Sequence, residues 1–253
     1  MSADRGAAPR EVLLLDLGNS TAKLLPPGAT SPLRVRMDAA DAESARARFR
    51  TALGSAPDAD RCLAASVAPR WQDLLLPELA ARGVRVMLVQ PAEVPLSVRS
   101  RGTGVDRLLC AWQAQRLARG AALVASCGTA FTLDVVDAAG VFHGGAIGAG
   151  LGLQEAALAA AAPHLPPPDP AWRSGPVPAS SAEAIACGTR GALAAALNGL
   201  AAEFALRMAA PECARFVTGG DAVRLAPALG PGWRVEEDLV LRALAALAPA
   251  WKW

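Results

Sequence analysis

The chain has 253 residues, which is enough for one large domain or two smaller lobes with a substantial buried core. Its formal net charge is only +2, so the composition gives no reason to expect a nucleic-acid partner or a membrane surface. Five scattered cysteines, two histidines and the lack of any C-x-x-C pair argue against a zinc site or a disulfide framework, and indicate buried thiols in the cytoplasm.

The first half of the chain is predicted to alternate strands and helices. Residues 1–10 have no apolar stretch of signal-peptide length, and the apolar run 144–162 contains polar residues and many glycines, which favours a buried helix over a membrane span. Short apolar runs bounded by turn residues predict strands, and longer periodic segments predict helices. The predicted elements are strands 12–17, 21–25, 62–67 and 85–89 and helices 41–53, 71–82 and 106–119.

The opening pattern returns in the second half, where Ala125–Thr129 matches Leu15–Asn19 as an apolar strand that enters a glycine turn. We interpret this as an internal repeat and predict an N-terminal lobe over 1–120 and a C-terminal lobe over 121–253, with a ligand-binding cleft between them. The predicted elements are strands 123–129, 131–136, 140–142 and 215–217, helices 152–162, 181–210, 221–229 and 238–247, and a proline-rich surface loop over 163–180.

The first candidate site is the turn within Asp16–Lys23. Small residues let backbone N–H groups approach an anion, Ser20 and Thr21 add hydroxyl donors, and Lys23 supplies a point charge suited to phosphate. Asp16, at the end of a strand, is suited to hold a metal ion or a metal-bound water. The alternative is an ordinary hairpin turn with a solvated lysine. The chain contains only two lysines, which favours the functional interpretation.

The second candidate is the glycine loop Gly102–Arg107, which delivers a carboxylate and a guanidinium to the start of a helix. Asp106 is either a helix N-cap, the commoner use of aspartate there, or a general base that takes a proton from a hydroxyl nucleophile. Arg107 has the geometry to hold a carboxylate through two parallel hydrogen bonds.

Three further glycine segments are weaker candidates. In Ser126–Asp134, Gly128 and Thr129 would offer donors to the same phosphates, or the segment is a structural turn with Asp134 exposed. Gly144–Gly150 is predicted as a loop before a helix, and it does not spell a dinucleotide-binding motif. Thr218–Asp221 could face a nucleotide base or ribose at a helix N-terminus.

Taken together and in this order, these motifs resemble the type III pantothenate kinases, also called the Bvg accessory factor family. The resemblance runs from about Val12 to Leu247 and is carried by D-x-G-N-S-x-x-K, G-x-D-R, G-T-A-x-T-x-D and T-G-G-D. It implies an α/β, actin-like ATPase (ribonuclease-H-like) fold with two similar lobes around a cleft. It also implies a cytoplasmic homodimer that uses ATP with Mg²⁺ to phosphorylate pantothenate, the first step of coenzyme A biosynthesis.

The resemblance also assigns residues to the implied site. Asp106 would be the catalytic base. ATP would be bound by Asp16, Leu17, Gly18, Asn19, Ser20, Thr21, Ala22, Lys23 and Thr129. Pantothenate would be bound by Gly104, Val105, Asp106, Arg107 and Ser181, the last standing where the family usually has a threonine.

Two positions depart from the family pattern. Ser126 stands where the family usually has an aspartate that binds a monovalent cation such as K⁺ or NH₄⁺, and the chain has no tyrosine to match one that lies near the family's substrate. A weakly active or non-catalytic regulatory protein is therefore an alternative, although the near-neutral charge and lack of a basic helix argue against DNA binding. Another sugar or acetate kinase of the same fold is a third interpretation.

Overall fold

The computed structural model describes residues 12–175 and 177–253, so the prediction about residues 1–10 lies outside the described part of the chain. Contacts divide the chain into two units: the first runs to Val94 and includes 104–106 and 240–253, and the second comprises 95–103 and 107–239. The predicted boundary at Gly120 does not coincide with this division, because the end of the chain packs with the first unit and residues 95–103 pack with the second.

The first unit contains a five-stranded mixed sheet with the strand order β3-β2-β1-β4-β5. Strand β2 pairs antiparallel with both β1 and β3, whereas β4 pairs in parallel with β1 on the other side, and β5 in parallel with β4. The elements are β1 Val12–Leu17, β2 Thr21–Leu25, β3 Leu33–Arg36, α1 Ala42–Gly54, β4 Arg61–Ser66, α2 Pro69–Ala80 and β5 Arg85–Leu88.

Helix α1 illustrates why these elements form. Asp41 caps it by accepting a hydrogen bond from the Ser44 amide, which satisfies one of the otherwise unpaired N–H groups of the first turn. Buried residues then recur four positions apart at Ala45, Phe49 and Leu53, so that one face of the helix packs in the same apolar core as β1 and α2.

The second unit contains a six-stranded sheet with the strand order β11-β10-β7-β8-β9-β6. Helix α3 begins in the first unit and continues into the second. The elements are β6 Ser97–Val98, α3 Val105–Ala118, β7 Ala122–Cys127, β8 Ala130–Val136, β9 Val141–Ala149, α4 Leu151–Ala161, α5 Ser181–Ala186, α6 Ala192–Arg207, β10 Ala214–Thr218, α7 Ala222–Leu229, β11 Trp233–Val235 and α8 Leu239–Leu247.

Both sheets have the same topology over five strands. In each, a central strand (β1 or β7) has an antiparallel hairpin partner on one side and two parallel strands on the other. This shared order confirms the predicted internal repeat. Within the described residues no helix is both long enough and apolar enough to span a bilayer.

Three sequence predictions need correction. The glycine run 144–150 was expected to be a loop, but residues up to Ala149 belong to β9, which pairs with β8 along its length. A Cβ on Gly145 would lie 1.8 Å from the carbonyl oxygen of Leu133, so the glycines allow the strands to approach closely.

The helix expected over 181–210 is divided by a π-helical turn at Cys187–Gly191. Strands β3, β6 and β11 were not predicted, because each is only two to four residues long.

Candidate active site

The predicted phosphate-binding motif, Asp16–Lys23, forms the β1–β2 hairpin of the first unit. Asp16 and Lys23 are direct cross-strand partners, and Lys23 Nζ lies 3.7 Å from Asp16 Oδ2. The Gly18 amide donates to the Thr21 carbonyl at 3.1 Å and closes the turn, so that Asn19 and Ser20 are exposed at its tip. The segment is therefore a hairpin whose strands bring a carboxylate and an ammonium beside two exposed residues.

Two residues outside the motif hold this turn in place. The indole Nε1 of Trp71, at the start of α2, donates to the Asn19 carbonyl at 2.9 Å, and the Met37 amide donates to the Ser20 carbonyl at 2.9 Å. Trp71 is only 3% exposed. The turn is thus fixed from both sides by buried neighbours, a form of preorganisation that favours binding.

The Gly104–Asp106 loop lies next to the end of β1 in the first unit. The Val67 amide donates to the Leu17 carbonyl at 3.2 Å, and a Cβ on Gly104 would lie 3.1 Å from Val67 Cγ1. The same Cβ would lie 2.6 Å from Asp106 Oδ1, so the Asp106 carboxylate folds back over this glycine. Only a residue without a side chain fits at Gly104 without displacing the carboxylate.

Asp106 is the second residue of α3, not the residue before the helix where an N-cap stands. Its side chain is half-buried in the first helical turn, where the partial positive charge of the helix N-terminus favours a carboxylate. This placement does not match the N-cap interpretation of Asp106, and its role as a general base stays a prediction.

Arg107 is bonded to Asp134 of β8 in the second unit. Its Nε donates to Asp134 Oδ2 at 3.0 Å and its Nη2 donates to Oδ1 at 2.5 Å. Asp134 is completely buried, in contrast to the structural-turn interpretation of this segment, in which it was exposed. Sequence reasoning missed this pair, because the partners are 27 positions apart and nothing local in the sequence links them.

Three glycine segments of the second unit pack against one another around the β7–β8 turn. The Gly128 amide donates to the Ala130 carbonyl at 3.0 Å, and the Gly150 amide donates to the Thr129 carbonyl at 3.0 Å. A Cβ on Gly150 would lie 1.8 Å from the Gly128 oxygen, and one on Gly219 would lie 2.3 Å from the Cys127 oxygen. These contacts join the turn, the start of α4 and the T-G-G-D loop into one surface, with Thr129 exposed on it.

Salt bridges to Arg224 also hold the T-G-G-D loop in place. Arg224 Nη1 donates to Asp221 Oδ1 at 3.0 Å, and Arg224 Nη2 donates to Glu155 Oε1 of α4 at 2.7 Å. The hydrogen bond that Arg224 donates to Glu155 is the main cause of a raised Arg224 pKa. Burial, aided by the Asp221 carboxylate, raises the pKa of the Cys127 thiol to about 12, which disfavours the thiolate form.

The residues around Ser126 lack the carboxylate that the family usually has at this position. Ser126 and Thr132 are cross-strand partners, and Ser126 Oγ and Thr132 Oγ1 are buried without a hydrogen-bond partner. Two neutral hydroxyls provide no negative charge to offset dehydration of a cation. Asp134 lies two positions after Thr132, on the same face of β8, but its carboxylate is hydrogen-bonded to the Arg107 guanidinium.

Ser181 is the first residue of α5 and is exposed. Its neighbour Ser180 caps the helix: Ser180 Oγ accepts from the Glu183 amide at 3.3 Å, and Glu183 Oε2 accepts from the Ser180 amide at 3.1 Å. This reciprocal capping box fixes the start of the helix and leaves the Ser181 hydroxyl on the surface.

Comparisons with known proteins bear on both family and fold. A family model described as type III pantothenate kinase matches residues 12–203. A type III pantothenate kinase from Halorhodospira halophila is 33% identical over 254 aligned residues, covering 92% of this chain and 95% of the relative.

The solved structures that resemble this chain have low sequence identity and therefore show the fold alone. A Baf family protein from Campylobacter jejuni, described as a transcriptional activator, has a TM-score of 0.67 at 17% identity and covers 94% of this chain and 98% of its own. A ParM mutant has a TM-score of 0.56 at 9% identity, and the match covers 96% of this chain and 100% of the ParM chain. These likenesses and the two mixed sheets confirm the predicted actin-like ATPase fold. Since the family model covers most of the sequence and the bacterial kinase matches nearly all of it, the chain belongs to the type III pantothenate kinase family.

Proposed function

We propose that this chain transfers the γ-phosphoryl group of ATP to the primary hydroxyl of pantothenate, giving 4′-phosphopantothenate for coenzyme A biosynthesis. Beyond family membership, the supporting observation is the position of Asp106. Its loop contacts Val67, and Val67 in turn bonds the end of β1, where the candidate phosphate turn begins. A carboxylate beside a phosphate turn is the arrangement that proton removal from an attacking hydroxyl requires.

ATP would be bound by backbone and side-chain groups of two hairpin turns. In the first unit these are Asp16, Leu17, Gly18, Asn19, Ser20, Thr21, Ala22 and Lys23, and in the second Thr129. Lys23 would neutralise phosphate charge, and Asp16 would hold Mg²⁺ or one of its waters. Bound Mg²⁺ would supply further neutralisation of the charge on the transferring phosphoryl group.

Pantothenate would be held by Gly104, Val105, Arg107 and Ser181, with its hydroxyl beside Asp106. Asp106 accepts the hydroxyl proton, the oxygen attacks the γ-phosphorus, and the bond from that phosphorus to the bridging oxygen of ADP breaks. Most of the acceleration comes from positioning and charge neutralisation, since phosphoryl transfer needs little covalent help from the protein.

The monovalent cation expected from the family would be bound less strongly here, because the hydroxyl pair of Ser126 and Thr132 carries no negative charge. We expect K⁺ and NH₄⁺ to change turnover little. A Ser126→Asp variant, which restores the carboxylate, is expected to gain a cation dependence that the parent protein lacks. The measurement is turnover at varied K⁺ and NH₄⁺ with ionic strength held constant.

A cytoplasmic homodimer completes the proposal. Helix α4 has only Leu151 buried among its 11 residues, and Leu153 is 50% exposed. Ile147, on the neighbouring strand β9, is 63% exposed. An exposed apolar surface of this kind is typical of an interface between subunits.

The test is ADP release in the presence and absence of pantothenate, with the product identified by mass spectrometry. We expect ADP release to depend on pantothenate and to yield one phosphopantothenate per ADP. A panel of sugars and acetate separates this activity from the other kinases of the same fold. Absence of pantothenate-dependent turnover would favour the non-catalytic regulatory alternative.

A further inference from the structure

The Arg107–Asp134 pair is a buried contact whose role is not explained by the fold alone. Asp134 is 0% exposed and the Arg107 side chain is 13% exposed. The guanidinium carbon of Arg107 also lies 6.0 Å from the centre of the Phe142 ring, which is itself fully buried. The guanidinium is therefore restrained by a carboxylate in its plane and by an aromatic ring.

The geometry of the pair determines the orientation of the guanidinium. Both carboxylate oxygens of Asp134 accept from the edge formed by Nε and Nη2, at 3.0 and 2.5 Å. A guanidinium is planar and rigid, so two bonds along one edge also fix the direction of the edge formed by Nη1 and Nη2. That second edge is the one that matches another carboxylate in a two-bond arrangement.

We propose that Asp134 is a positioning residue that orients Arg107 toward the carboxylate of the acceptor substrate. The proposal rests on the proposed function, in which Arg107 holds pantothenate; the paired N–H donors of a guanidinium match the carboxylate of that substrate. Asp134 itself contacts no substrate. Its effect is to hold the guanidinium so that an anionic acceptor with a planar carboxylate binds better than an uncharged analogue.

The experiment compares the parent protein with Asp134→Asn, using pantothenate and an analogue whose carboxylate is replaced by an amide. An asparagine keeps one acceptor oxygen but turns its NH₂ group toward an Arg107 N–H donor, so the guanidinium loses one bond and its orientation. We expect the KM for pantothenate to rise about tenfold, as when one hydrogen bond to a charged group is lost. The kcat and the KM for ATP should change less than about twofold, and kcat/KM for the amide analogue should stay constant, because these do not depend on the substrate carboxylate.

Asp137→Asn is the matched control, since it makes the same carboxyl-to-amide change in the same hairpin. Asp137 bonds His143 at 2.8 Å and the backbone amides of 139 and 141, and it has no bond to Arg107. This control should leave the preference for pantothenate over the amide analogue unchanged.

A purely structural role for Asp134 would give a different result. An unchanged KM for pantothenate in a folded Asp134→Asn protein, or equal losses for both substrates, would overturn the proposal. If Asp134→Asn fails to fold, Arg107→Lys replaces it: a lysine cannot make the paired bonds, so a KM increase restricted to pantothenate supports the proposal, and equal losses refute it. A parent protein without pantothenate turnover would refute the proposed function. If the parent protein turns over pantothenate and Asp134→Asn has the same KM for it, only the positioning role is refuted.

Discussion

Adjacent residues Asp106 and Arg107 have separate structural surroundings. The Asp106 carboxylate folds over Gly104 beside Val67 in the first unit, whereas the Arg107 guanidinium bonds Asp134 in the second. One helical step thus presents a carboxylate and a guanidinium whose positions are fixed by different neighbours. Substitution of one need not displace the other, so their contributions can be measured separately.

Asp106→Asn is expected to lower kcat by about 10²–10⁴-fold, because an amide cannot accept the hydroxyl proton. The dissociation constant for ATP should be unchanged, since the phosphate turn does not include this side chain. Steady-state kinetics and calorimetric titration with a non-hydrolysable ATP analogue measure the two effects. Asp73→Asn, at an exposed position of α2, controls for the change of charge. An Asp106→Asn protein with normal kcat would remove this residue from the mechanism.

At the residue scale, the sequence indicated the motif residues but not the distant residues that hydrogen-bond to them. Asp16, Lys23 and Asp106 lie in short patterns whose chemistry can be read locally. The Trp71–Asn19 bond spans 52 positions and the Arg107–Asp134 pair spans 27, so each depends on how a helix packs against a sheet. No local pattern in the sequence encodes such packing.

The π-helical turn shows a similar limit at the scale of elements. Arg190 within it is 3% exposed, and its Nη1 and Nη2 groups donate to the carbonyls of Trp172 and Asp169 in the proline-rich segment. A Cβ on Gly191 would lie 2.7 Å from the Trp172 ring. The segment 163–180 was predicted as an ordered loop, and its described residues contain no helix or strand. The sequence did not reveal that this loop contacts a π-helical turn between α5 and α6.

The start of α4 provides a paired test of the glycine surface. Gly150→Ala places a Cβ 1.8 Å from the Gly128 oxygen, so the turn and the helix must separate. We expect a loss of about 1–3 kcal/mol in the free energy of unfolding, together with weaker ADP binding. Gly152→Ala, where nothing lies within 4 Å, should instead stabilise the helix by up to about 1 kcal/mol. Urea unfolding and nucleotide titration measure both, and equal behaviour of the two variants would contradict the packing argument.

Helices α1 and α2 are joined by a carboxylate that should make stability depend on pH. Hydrogen bonds first from Arg50 and then from Arg46 lower the pKa of Glu78 from its ordinary value of 4.5 to about 2. Because the folded-state pKa is the lower one, this stabilisation is present above pH 4.5 and is lost as the pH falls toward 2.

The corresponding variant is Glu78→Gln, which removes the charge and retains the shape. Thermal midpoints measured between pH 7 and pH 2 should fall more steeply for the parent protein than for the variant below about pH 4.5. Parallel curves for the two proteins would show that Glu78 contributes nothing to acid sensitivity.

At the scale of the whole molecule, the same five-strand topology occurs twice in one chain. The repeated hairpin motif made this predictable, and the elements from 12 to 25 were predicted with their observed bounds. The division into units was harder to predict from the sequence, because the last 14 residues, 240–253, pack with the first unit. Contacts between chain ends leave no periodic signal in the sequence.

The exposed apolar surface of β9 and α4 leads to a prediction about assembly. Ile147→Glu combined with Leu153→Glu should convert the proposed dimer into a monomer, because two charges would be buried at the interface. Sedimentation velocity measures the change in mass. Leu206→Glu is the control, since Leu206 is 77% exposed on α6 and its substitution should leave the mass unchanged. A double variant that sediments like the parent protein would place the interface elsewhere.

The hydrogen bond between Trp71 and the Asn19 carbonyl has a practical consequence. An indole ring is a fluorophore whose emission responds to its polar surroundings, and this one touches the backbone at the tip of the candidate phosphate turn. With the other five tryptophans replaced by phenylalanine, the protein carries an optical reporter at that turn. Nucleotide arrival can then be followed in stopped-flow without any label, and separately from the chemical step.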